Sequence, residues 1–170
     1  MQTNRFRVLL ASLAVLLCAG LSLSLMAARP QKARAAVFLV TLTSDTPGAP
    51  PPGVPGELRW AINSANLAPG PDVINFNIPV PGPQTIIPQM PLPPITDTVT
   101  IDGYSQPFSV PPAGPGVPAV ILIEIAGMAA GPADGLTIQL VGASNSVVKG
   151  LAINRFMQSG ILIQGANNVV

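Results

Sequence analysis

The sequence predicts an all-β chain built as a β-solenoid, with one short α-helix closing its amino-terminal end. Three observations lead there. Between Gly135 and Val170 short aliphatic segments recur, set apart by glycine or asparagine: Leu136-Thr137-Ile138, Val147-Val148, Leu151-Ala152-Ile153, Ile161-Leu162-Ile163 and Val169-Val170. The recurrence is internal. Gly135-Leu136-Thr137-Ile138 returns after 25 residues as Gly160-Ile161-Leu162-Ile163, and Gly142-Ala143-Ser144-Asn145-Ser146-Val147-Val148 returns as Gly165-Ala166-Asn167-Asn168-Val169-Val170. A repeat of roughly 20–30 residues made of strands describes coils that stack on one another. The second observation is that one segment alone, Glu57 to Leu67, carries a convincing helical stripe. The third is that 19 of the 21 prolines fall between Pro47 and Pro118, yet strand-length aliphatic segments interrupt them. A solvated linker has no need of such segments, so the prolines are expected in loops between strands.

Taken in order, the chain begins with Met1 to Ala35, which reads as an export signal. Arg5 and Arg7 open it, Val8 to Met26 is apolar, and Ala33-Arg34-Ala35 offers a small-x-small cleavage pattern before Ala36. An uncleaved membrane anchor is the competing reading, because the apolar run is just long enough to span a bilayer. Gly20, Ser22 and Ser24 soften it and favour cleavage, which leaves residues 36–170 as one domain. Val37 to Thr43 reads as a first strand. Ser44 to Gly56 is a Pro/Gly loop. In the helix, Leu58, Ala61, Ile62 and Ala65 share one face, Glu57 suits the positive amino-terminal end, and Pro69-Gly70-Pro71 ends it. Strands follow at Val73–Phe76, Thr85–Ile87, Val99–Ile101 and Val120–Ile125. By alternation, Ile121, Ile123 and Ile125 point inward, and so do Leu136, Ile138 and Leu140. Asn145, Asn167 and Asn168 stand where sharp bends are needed, since asparagine tolerates left-handed backbone angles.

Composition narrows the function. From Ala36 onward three cations face seven acids, a net of −4, so the chain has neither the basic footprint of a nucleic-acid binder nor a cluster that seeks anionic lipid. Its one cysteine, Cys18, lies in the leader, and it has no histidine. That removes internal disulfides, thiolate metal sites and the usual triad base.

Two stretches carry a resemblance. Gly56-Glu57-Leu58-Arg59-Trp60-Ala61-Ile62-Asn63-Ser64-Ala65-Asn66, followed by Pro69-Gly70-Pro71-Asp72-Val73-Ile74-Asn75-Phe76, resembles the opening of bacterial CSLREA-type surface proteins. Pro94-Ile95-Thr96-Asp97-Thr98-Val99-Thr100-Ile101-Asp102-Gly103-Tyr104-Ser105-Gln106-Pro107 resembles their next block, and Gly150-Leu151-Ala152-Ile153-Asn154-Arg155-Phe156 a later rung. The family's usual leading cysteine and serine are absent, and Pro55-Gly56-Glu57 stands there, which leaves glycine as a weak helix cap. The resemblance implies a right-handed parallel β-helix of the pectate-lyase-like kind, extracellular, with the helix lidding its first coil. No capping element follows Val170, so the expectation is the amino-terminal part of a longer protein or a truncated reading frame, with an uncapped end open to self-association.

Enzymes of that superfamily use acidic calcium ligands with a basic proton acceptor, or paired carboxylates. Asp72, Asp97, Asp102, Glu124 and Asp134 are the acids on offer here, with Arg59, Lys149 and Arg155 as cations, and none clusters along the sequence. Each reads first as structural: Asp102-Gly103 and Asp134-Gly135 as turns, Lys149 as a solvated outward group, Arg155 as a tie to turn carbonyls or to an acid on the next coil. Trp60 is expected to seal the first coil and Phe76 to pack inside. Tyr104 is the candidate glycan contact. The reading is therefore a non-enzymatic, secreted or cell-surface scaffold with no cofactor, adhesive or glycan-contacting. The alternative is the front part of a polysaccharide lyase or hydrolase whose catalytic coils lie beyond residue 170.

Overall fold

The computed structural model describes residues 34–170, so the expected leader lies outside the described residues except for Arg34 and Ala35. The described chain runs β1 (Val37–Val40), α1 (Leu58–Leu67), β2 (Asp72–Phe76), β3 (Gln84–Ile86), β4 (Val99–Asp102), β5 (Ile123–Ala126), β6 (Leu136–Ile138), β7 (Val147–Lys149), β8 (Leu151–Asn154) and β9 (Ile161–Ile163). It is predominantly β, with a single α-helix among the described residues.

The strands form three sheets, ordered β1-β2-β4-β7, β3-β5-β8 and β6-β9. Every strand pairing within them is parallel. From β4 to β9 the chain visits the sheets in strict rotation: first, second, third, then first, second, third again. Isolated parallel bridges extend the rotation at both ends, Ile95 to Ile138 and Val147 to Val169. The repeat read in the sequence is the pairing seen in space, for Leu136, Thr137 and Ile138 lie against Ile161, Leu162 and Ile163.

Alternation along each strand turns one row of side chains into a shared core. Ile74 stacks on Ile101 and Ile101 on Val148 in the first sheet. Ile86, Ile125 and Ile153 do the same in the second. Ile74, Ile101, Ile123, Ile125 and Ile138 are wholly buried, and the three sheets contribute to one hydrophobic cluster. Each such side chain adds about 1.5–3 kcal/mol of burial.

The helix presents the expected stripe, with Leu58, Ala61, Ile62 and Ala65 buried against that cluster. Trp60, half-buried, meets Phe38 edge to face, with ring centroids 5.9 Å apart. Phe76 is buried. Gly56 is not the cap; Glu57 occupies that position, and its carboxylate makes no bond to its own helix. Gly56 instead bends the chain at φ +93°, where its carbonyl accepts the amides of Thr41 and Leu42. Those two bonds stop β1 at Val40, three residues short of the expected Thr43.

Two residues expected inside are outside. Leu140 is 67% exposed because β6 ends at Ile138 and the chain turns before the alternation can continue. Ile121 is 41% exposed because Val120 is drawn into an antiparallel bridge with Val110, and the sheet strand begins only at Ile123. Asn145 and Asn167 do take left-handed angles, at φ 63° and 58°. Asn168 works differently: its side-chain oxygen accepts the Ser146 amide from the neighbouring pass of the chain.

Candidate functional site

Most ionisable side chains of the described residues are engaged in holding loops. On α1, Arg59 forms a bidentate pair with Asp45, Nε to Oδ1 at 2.6 Å and Nη2 to Oδ2 at 2.8 Å. Its remaining donors reach the carbonyls of Pro91 and Met90, while Asp45 also accepts the Gln89 amide. One guanidinium thus ties the loop before the helix to the loop after β3. The Glu57 carboxylate accepts from the Ser44 hydroxyl, the Thr46 hydroxyl and the Thr46 amide. Asp45 carries no sequence signature, and Glu57, expected to serve the positive end of the helix, binds an irregular loop instead.

Of the other acids, Asp97 accepts the Thr98 amide and Asp134 the Ser159 amide. Asp72 accepts the Ala36 amide. Lys149 is exposed, as expected of an outward group, and it also stands opposite Asp102 across β4 and β7 and pairs with it at 2.9 Å. Among the described residues no group of three or more His, Cys, Asp or Glu is arranged to hold a metal ion.

The loop after β4 is the most elaborate surface feature. Asp102 caps a short 3-10 turn by accepting the Tyr104 amide. A side chain at Gly103 would strike the carbonyl of Gly150, so the turn sits directly under the next pass of the chain. The Tyr104 ring, half-buried, lies over Gly150, where an added Cβ would come within 2.7 Å of it. Gln106 is 3% exposed, and its amide accepts from the Ile78 N–H and donates to the Ile78 carbonyl, standing in for a neighbouring strand. Beyond this clamp, Phe108 is 81% exposed and held at φ 71°. With Val80, Pro79 and Pro107 it borders a shallow cavity of about 210 Å³. The exposed aromatic here is therefore Phe108, four residues past Tyr104.

On the outer face of the second sheet, Glu124 is bracketed by its register partner Thr85 on β3 and by Asn154, two residues beyond its partner Ala152 on β8. Thr85 donates to Oε2 at 2.7 Å and Asn154 to Oε1 at 2.8 Å. These two bonds, Thr85 first, hold its carboxyl below the usual range, and the nearby Arg155 adds to the effect. The result is a stable carboxylate with both oxygens occupied, an arrangement that opposes a role as proton donor. Compared with protein-family models, curated proteins and solved structures, the chain matches none.

Proposed function

We propose that this chain is an exported, non-enzymatic scaffold: a right-handed parallel β-helix with a helix near its amino-terminal end, at the cell surface or secreted, which contacts glycan through the loop after β4. The β-helix reading is supported by the fixed rotation of β4 to β9 through three parallel sheets and by the aliphatic ladders inside them. The leader, with its small-x-small pattern before Ala36, supports export.

One observation carries the non-enzymatic part. The carboxylates and cations that a sugar-cleaving site would need are spent on backbone amides, hydroxyls and one another, as Asp45–Arg59, Asp102–Lys149 and Glu124 with Thr85 and Asn154 exemplify. What faces solvent instead is an aromatic ring on a braced loop, that of Phe108, and such rings suit the apolar faces of sugars. The edge strands β8 and β9 are the proposed route of self-association.

The experiment exports the full chain from a bacterial host and follows it in medium and surface fractions. The purified protein is then incubated with polysaccharides, including polyuronates. Retention on immobilised glycan without release of reducing ends or unsaturated products is the expected outcome. Product release that disappears in Glu124→Gln would replace the scaffold with a lyase or hydrolase.

A further inference from the structure

We propose that Asp72 is the receptor for a new amino terminus: the ammonium of Ala36, created when the leader is removed, pairs with a buried carboxylate that is otherwise only half-satisfied. The inference rests on the export reading above and adds to it a site that processing completes.

The geometry is specific. Asp72 opens β2 and is 1% exposed. Its Oδ1 accepts the backbone N–H of Ala36 at 2.7 Å. Its Oδ2 is buried and finds no donor among the described residues. A carboxylate offers about four acceptor positions, and burying one with a single neutral donor is costly. The nitrogen is already held in place, because the Ala36 carbonyl accepts the Val73 amide at 2.9 Å and Val37 pairs with Val73. Nothing has to move for a charged nitrogen to sit where the amide sits.

The surroundings call for positive charge. Burial pushes the Asp72 carboxyl up, the bond from Ala36 offsets part of that, and the charge of Asp97 pushes it up again. Asp97 lies on the segment before β4, whose Thr98 carbonyl accepts the Asp72 amide. The cation nearest Ala36 in sequence is Arg34, which is exposed and departs with the leader.

Processing supplies the missing group. Hydrolysis of the Ala35–Ala36 bond by a leader peptidase consumes one water, leaves a carboxylate on Ala35 and an amine on Ala36. An α-amine of ordinary pKa about 8 takes up a proton at neutral pH. One N–H donor becomes three, enough to keep Oδ1 and reach Oδ2, and the buried charge gains a counter-charge. The first strand would then be fastened to the second by an ion pair that the precursor cannot make.

The test uses the full chain carrying Lys149→Arg, because Lys149 is the one lysine after Ala36 and its replacement leaves the α-amine as the only primary amine of the processed protein. The exported product is sequenced from its amino terminus, and its thermal midpoint is measured at pH 7 before and after amine acetylation, with Asp72 and with Asp72→Asn. The expected result is a start at Ala36, a drop on the order of 5 °C on acetylation with Asp72, and almost none with Asp72→Asn. Equal shifts in both proteins, or none with Asp72, overturn the assignment while leaving export intact. A start at Met1 sinks the export reading as well, and a start at any other residue overturns the assignment alone. Should Asp72→Asn fail to fold, titration of the α-amine with Asp72 present decides: a value above the ordinary 8 or so supports the pair, and one at or below it refutes it.

Discussion

Phe108 is the residue whose conformation is hardest to explain by stability. A large aromatic at φ 71° bears backbone strain that glycine would escape, and with 81% of its surface exposed it recovers little through packing. Its neighbours absorb the cost, since the Gln106 clamp and the bond from the Ser109 amide to the Gln106 carbonyl fix the backbone on either side. Phe108→Gly is expected to raise stability by up to about 1 kcal/mol, read as a higher denaturant midpoint, while glycan retention falls. A loss of stability with unchanged retention would return Phe108 to an ordinary loop residue.

At the scale of elements, the helix depends on a single side chain more than on its own caps. Asp45 and Arg59 are 3% and 10% exposed at their side chains, so the pair is largely removed from water. Arg59→Ala leaves a buried carboxylate and two carbonyls without their donor, and is expected to cost about 3–5 kcal/mol. Replacing both partners, Asp45→Leu with Arg59→Met, should restore a good part of that loss; chemical denaturation of the single and double variants measures it.

The helix stripe, the inward Ile123 and Ile125 of β5, the inward Leu136 and Ile138 of β6 and the likeness of β6 to β9 could all be read in the sequence, because each follows a local period. The ties that position the loops could not. Arg59 reaches Asp45, Pro91 and Met90 across a Pro-rich path whose course no periodicity encodes, and Gln106 pairs with Ile78 only because two loops run side by side. The same limit explains Ile121 and Leu140: alternation said which face they would take but not where the strand would stop. Asp102 opposite Lys149 was within reach of the sequence, given the register of β4 with β7, but that register crosses a long proline-rich insertion.

At the scale of the whole molecule, one sheet-face carboxylate links folding to pH. Glu124 has its carboxyl lowered in the folded chain, so its contribution is present above the ordinary range of an unfolded glutamate and is lost as pH falls through the lower folded value. Removing the leading cause with Thr85→Val is expected to move the Glu124 titration upward, followed by carboxylate NMR. An unchanged titration would assign the shift to Asn154 and Arg155 instead.

The rotation of strands through three sheets has a bearing on how such a chain reaches its final form. Each parallel pair joins a strand to one laid down on an earlier pass, so every new turn finds its template already in place. In the exported β-helix proposed above, a polypeptide emerging from a membrane pore amino-terminal end first would meet its helix and first strands at the outset and add turns in the order they appear. Each added turn would make backsliding less favourable, so assembly outside the cell would itself act as a ratchet that draws the remaining chain across.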